Sequence, residues 1–184
     1  MQVIYRMRPP HMVGEVLYPL NTLRQLHPDI YTHEIAKYQD HPGRFDLPQR
    51  IIPKLNCLWN DVVQCSPIHP HLLYLALHER GLLPAQPRRT FFQIPLSMLD
   101  DTPIVIVSSS GDPTIPLREE EVSFLDHATY RELDAVPARA LEWYDYLARQ
   151  KKLSGLFMGI PHVMVQGPIA IHQAREILWE EPPI

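Results

Sequence analysis

Twenty of the 184 residues are proline, about twice the ordinary share, and they are scattered along the chain. Proline has no N–H and a fixed φ, so it ends helices and is kept out of central strands. A chain punctuated this often folds from short elements joined by turns. It does not read as a proline-rich linker, because no repeat or low-complexity tract is present. A length of 184 residues suits one domain, spanning 1–184, and the apolar fraction of 45% supplies a single core.

The segment Met1 to His11 carries polar and basic residues and no long apolar run, so no signal peptide is expected there. No stretch approaches the roughly 18 consecutive apolar residues that a membrane helix needs. A cytoplasmic protein with no membrane partner is the expectation. The formal charge of −4 argues against a protein that coats nucleic acid non-specifically, which needs a basic surface. Charge is uneven, however. Met1 to Asn60 holds seven Lys/Arg and five Asp/Glu, whereas Arg118 to Asp145 holds three and eight. A basic face in the N-terminal half and an acidic face opposite it are expected. Cys57 and Cys65 form neither a CxxC pair nor a zinc knuckle, and both read as buried free thiols.

Along the chain, Val3 to Met7 ("VIYRM") reads as an opening strand closed by Pro9-Pro10. Asn21 is placed to cap a short helix through Leu26, and Asp29 a second one over "IYTHEIAKY". A polar loop, "QDHPGRFDLPQR", follows. Cys57 to Cys65 reads as a strand. Pro70 suits the first turn of a helix that runs to Gly81. Thr90 to Leu96, Pro103 to Ser110 and Glu121 to Leu125 read as strands, with a turn at Gly111-Asp112-Pro113. Pro137 opens a strong helix through Lys152. His162 to Ile171 reads as a strand kinked at Gly167-Pro168, and His172 to Trp179 as a closing helix. Strands and helices do not alternate strictly, so the fold class is α+β.

Several groups are candidates for chemistry. In "SPIHPHLLY", His69 and His71 fall at a helix start, where free N–H groups favour an anion. The alternative is two exposed first-turn histidines. Metal is the weakest reading, because His-x-His supplies two ligands where zinc wants three or four. Arg6 and Arg8 alternate on the opening strand and share a face. Paired guanidinium forks suit phosphate oxygens, and an ordinary edge strand is the plainer reading. Ser108 to Ser110 with Asp112 lack a marked base and a GxSxG elbow, so they read as a strand-end turn. "REEE" (Arg118 to Glu121) is similar to the paired glutamates of arginine-targeting ADP-ribosyltransferases, or is a solvated charge run. Glu121 is the one placed to open a strand. Trp59, Asn60 and Asp61 form a polar-aromatic group, in which the Asp61 carboxylate needs a partner.

Four regions together carry a resemblance. "VIYRMRPPHM", "LWNDVVQCSPIHPHLLYLAL", "PIVIVSSS" with "VSFLDHAT", and "PHVMVQGPIAIHQAREI" resemble, in the same order, segments of the DarT-type DNA ADP-ribosyltransferases. The resemblance implies an ADP-ribosyltransferase-like mixed β core with flanking helices. It implies NAD as the nucleotide and single-stranded nucleic acid, or another macromolecule, as acceptor.

The key side chains differ from that family. Ile68 stands where its arginine falls, His162 where its glutamate falls, and Arg6 and Arg8 where its first-strand histidine and threonine fall. A glutamate would face the positive charge that develops on the sugar, whereas a histidine exchanges protons near pH 7 without a fixed negative charge. Three readings stay open. Glu119, Glu120 or Glu121 supplies the carboxylate; or different chemistry runs in the same cleft; or the chain binds a nucleotide or partner without turnover. The expected cleft gathers Arg6, Arg8, His69, His71 and His162, with Trp59 and Asp61 beside it and catalytic roles for His162, His69 and Glu121. A metal-dependent hydrolase built on the histidines is the remaining alternative.

Overall fold

The computed structural model describes residues 2–39, 45–83, 88–108 and 115–183. The turn expected at Gly111-Asp112-Pro113, and Ser109, Ser110 and Asp112, lie outside them. The fold is α+β. Among the described residues, eleven strands run in chain order: β1 (Val3–Met7), β2 (Val16–Leu17), β3 (Ile51–Ile52), β4 (Cys57–Leu58), β5 (Val62–Cys65), β6 (Thr90–Pro95), β7 (Ile104–Val107), β8 (Val122–Phe124), β9 (His162–Gln166), β10 (Ile169–Ala170) and β11 (Arg175–Leu178). Four helices among the same residues join them: α1 (Leu20–Leu26), α2 (Pro28–Gln39), α3 (Pro70–His78) and α4 (Ala138–Gln150).

Two sheets organise the molecule, one ordered β1-β6-β11 and one ordered β5-β9-β7-β8, with β2/β10 and β3/β4 as short pairs. Every pair of named strands is antiparallel, where a mixed core was expected. Most of these pairs join strands far apart in the chain, as β1 with β6 and β5 with β9, so the sheets rest on long-range pairing rather than on hairpins.

One face of each sheet enters a common core. Ile4, Phe92 and Ile94 of the first meet Val63, Cys65, Val163 and Val165 of the second. The outer face of the first sheet packs on α3 and α4 through Val3, Phe91, Leu73, Leu77 and Tyr144. The outer face of the second packs on α1, α2 and the β3/β4 hairpin through Val105, Met164, Leu20, Tyr38 and Ile52.

Besides this packing, β1 and β5 are joined by one rung of backbone hydrogen bonds. Tyr5 N–H donates to the Ser66 carbonyl at 2.9 Å, and Ser66 N–H to the Tyr5 carbonyl at 2.7 Å. Past that pair β1 and β5 diverge, and the Arg6 guanidinium bridges the opening by donating from Nη1 to the Gln64 carbonyl at 2.8 Å.

Four expectations need correction. His172 to Trp179 is not a helix: Arg175–Leu178 is the strand β11, paired in register with β6. Its helix-forming residues yield to the open edge of β6, where Ile177 and Trp179 reach the core. The strand expected over Cys57 to Cys65 is broken by a 3₁₀ turn at Trp59–Asp61, because Asp61 Oδ2 accepts from the Leu58 N–H at 2.8 Å. Asn21 does not cap α1, whose N-cap is Pro19; its amide reaches Asp61 instead, and α2 begins at Pro28 with Asp29 inside its first turn. Glu121 ends a 3₁₀ turn (Glu119–Glu121) rather than opening β8.

Both cysteines are free thiols. Cys65 is buried, and burial pushes it up to about 12, while Cys57 is only half-buried and is pushed up to about 11.

Candidate nucleotide cleft

The opening between β1 and β5 is a small cleft of about 50 Å³, open to solvent. Its polar lining comes from Arg6, Glu34, Tyr38, Trp59, Asn60 and Gln64, and its apolar lining from Leu17, Leu20 and Val63 among others. Each element contributes for a local reason. β1 carries Arg6 on the face that looks toward β5. Glu34 and Tyr38 sit four apart on α2 and so share a helix face. The 3₁₀ turn, held by Asp61, presents Trp59 and Asn60 together.

Three buried polar atoms on this wall have no hydrogen-bond partner: Arg6 Nε, Trp59 Nε1 and Asn60 Oδ1. Trp59 is 8% and Asn60 3% exposed, so these groups are withdrawn from bulk water. Leaving such a group unpaired costs about 1–3 kcal/mol each. Two donors and an acceptor with that cost, around one guanidinium, form a wall suited to a polar, anionic ligand.

His162 sits behind this wall and does not line the cleft. Its ring centroid lies 6.2 Å from that of Trp59, and Nδ1 is 2.8 Å from the Ile160 carbonyl. A carbonyl only accepts, so Nδ1 carries the proton in the neutral ring and Nε2 keeps its lone pair. Burial, with the nearby Arg6 charge adding to it, holds His162 below its ordinary value. That shift favours the neutral ring, which lies beside the Trp59 ring.

The other expected site residues lie elsewhere. Arg8 shares the Arg6 face as expected, but its Nη1 is held by both carboxylate oxygens of Glu176, at 2.8 and 2.9 Å, on the exposed surface. Asp61 is spent on Asn21 Nδ2, at 2.7 Å, and on the Leu58 N–H. Glu121 accepts from the Arg118 N–H at 2.9 Å and closes its own turn.

His69 and His71 belong to the other side of the β1-β6-β11 sheet. His69 is the N-cap of α3: its Nδ1 accepts from the His71 N–H at 3.2 Å, and its ring meets the Tyr5 ring edge-on at 5.1 Å. Burial, and then the neighbouring His71, hold His69 below its ordinary value. His71 Nδ1 lies 3.2 Å from the Trp179 carbonyl. The stretch "SPIHPHLLY" is thus a helix start stapled by its own histidine. Among the described residues no three His, Cys, Asp or Glu side chains gather closely enough to hold a metal ion.

Compared with protein-family models, curated proteins and solved structures, the chain matches none.

Glu34 and Tyr38 complete the cleft without having been expected there, while Asn60 was noted in the sequence only as part of the group with Trp59 and Asp61. Glu34 and Tyr38 carried a signal in their i, i+4 spacing on a helix of low hydropathy, and Asn60 in its place between Trp59 and Asp61. None of these says which way the helix faces. No helix among the described residues is long and apolar enough to cross a membrane.

Proposed function

We propose that the β1/β5 cleft binds a nucleotide, with NAD as the candidate, and that the chain is an ADP-ribosyltransferase-like protein. The observation that carries the reading is the wall of buried, unpaired polar atoms around Arg6: Arg6 Nε, Trp59 Nε1 and Asn60 Oδ1. A pyrophosphate takes the free edge of a guanidinium and the indole N–H, and a ribose hydroxyl satisfies the amide oxygen.

Transfer of ADP-ribose to single-stranded nucleic acid, or to another macromolecule, is the second step of the same reading. It needs a carboxylate near the anomeric carbon, where positive charge develops. Glu34 is the carboxylate that lines this cleft, and it replaces Glu121 as the residue to test. His162 acts through Trp59, fixing the ring that the ligand touches, rather than by direct contact. The competing function is nucleotide binding without turnover.

The deciding experiment is nicotinamide release from NAD, with and without single-stranded DNA, for wild type, Glu34→Gln and His162→Ala. Release lost in Glu34→Gln but kept in His162→Ala supports the transferase reading. NAD binding without release supports the binding protein. Neither binding nor release sinks both.

A further inference from the structure

The opposite face of the β1-β6-β11 sheet carries a polar row. Tyr5, Gln93 and Arg175 stand directly opposite one another across the three strands. The adjacent row is Met7, Phe91 and Ile177, and this face otherwise packs against α3 and α4. Polar groups set into an apolar sheet face are costly unless something meets them.

What meets them borders a solvent-open cavity of about 260 Å³. Tyr5 Oη donates to Glu132 Oε2 at 2.6 Å, so Glu132 serves as a carboxylate acceptor with Oε1 left over. His69, 8% exposed, presents its ring to the same space. Its Nδ1 is occupied as an acceptor, so the neutral ring keeps its proton on Nε2, a donor. Glu181 and Pro182 close the rim, and Val3 and Ile177 form an apolar floor. This cavity shares no lining residue with the β1/β5 cleft.

The charges on this wall are of both signs and stay apart. Glu132, Glu181 and Arg175 all line the cavity, yet none is ion-paired with another. Two carboxylates and a guanidinium held apart around an apolar floor match a ligand that carries both charges itself.

We propose that this cavity is a second binding site, for a small zwitterion bearing an ammonium and a carboxylate, of the free α-amino acid class. Glu132 and Glu181 take the ammonium, while Arg175 and the His69 Nε2–H take the carboxylate. The site stands independently of the nucleotide reading.

The test is calorimetric titration of the full chain with a panel of free L-amino acids. Each is run beside its N-acetyl derivative and its carboxamide. At least one free amino acid binds, and blocking either end weakens it by about tenfold or more, as loss of a charged hydrogen bond should. Glu132→Gln and Arg175→Gln weaken it by a similar factor. Should Glu132→Gln fail to fold, Arg175→Gln, an exposed side chain, carries the test alone. Absence of binding by every amino acid overturns the proposal. So does binding that survives both blocked ends, or that is unchanged in Arg175→Gln.

Discussion

Arg6 Nη1 donates to the Gln64 carbonyl at 2.8 Å, one residue beyond the rung where Tyr5 and Ser66 join the two sheets. One nitrogen of this side chain thus closes the backbone seam, while its Nε is buried without a partner. Arg6→Met keeps the stem and removes the fork. It should cost about 1–3 kcal/mol, the worth of a hydrogen bond from a charged donor. In a chain of 184 residues that is a fall in Tm of roughly 2–12 °C, read by thermal unfolding. An unchanged Tm would mean that Arg6 serves the cleft alone.

Gly159 holds the loop before β9 against the start of α4. Its φ is +78°, and a methyl there would lie 2.7 Å from the Ala140 nitrogen. Gly81 has a similar φ of +63° with nothing within 4 Å of such a methyl. Gly81→Ala should therefore cost only backbone strain, about 1 kcal/mol, and Gly159→Ala distinctly more, on the order of 3 kcal/mol. Urea unfolding of the two variants side by side separates clash from strain. Equal losses would show that the loop can give way.

His69 and His162 both sit below the ordinary value of 6.5 because they are buried. The unfolded chain then takes up protons first as the pH falls. Their contribution is complete above 6.5 and is lost as the pH drops from there through the folded values. Tm should fall across that window, and His162→Gln should flatten the slope. A slope as steep as wild type in that variant would place the titration on other groups.

As N-cap of α3, His69 accepts from the His71 N–H. His69→Ala should cost about 1 kcal/mol, whereas His69→Asn, which offers an oxygen at the same place, should lose less. Equal destabilisation by the two would mean that contact with the Tyr5 ring, not the cap, is what His69 provides.

Much of the secondary structure was legible locally. The alternation of Val3 to Met7 appears as β1, Pro70 does open a helix, and the apolar stripe of Ala140, Tyr144 and Leu147 is the buried face of α4. What failed depended on distant partners. Arg175 to Leu178 holds residues that suit a helix, and only pairing with β6 makes them a strand. The break at Trp59–Asp61 comes from a carboxylate folding back on its own turn, a choice that a run of apolar letters hides.

Of the residues expected at the site, Arg6 and Trp59 line the cleft and the others do not. Arg6, Trp59 and His162 do come near one another, but His162 does not line the cleft. His69 and His71 were expected beside them, yet a strand's alternation sends Tyr5 and Arg6 to opposite faces, and the histidines go with Tyr5. Which face of β1 looks toward β5 is decided by the Tyr5–Ser66 seam, a contact between residues far apart in sequence.

The most direct test of the central claim is calorimetric titration of NAD into wild type, Arg6→Gln and Trp59→Phe, with the fold of each checked by thermal unfolding. Saturable binding to wild type, weakened by about tenfold or more in both folded variants, is the predicted result. No heat of binding to wild type, or equal affinity in all three, would contradict a nucleotide site at the β1/β5 cleft.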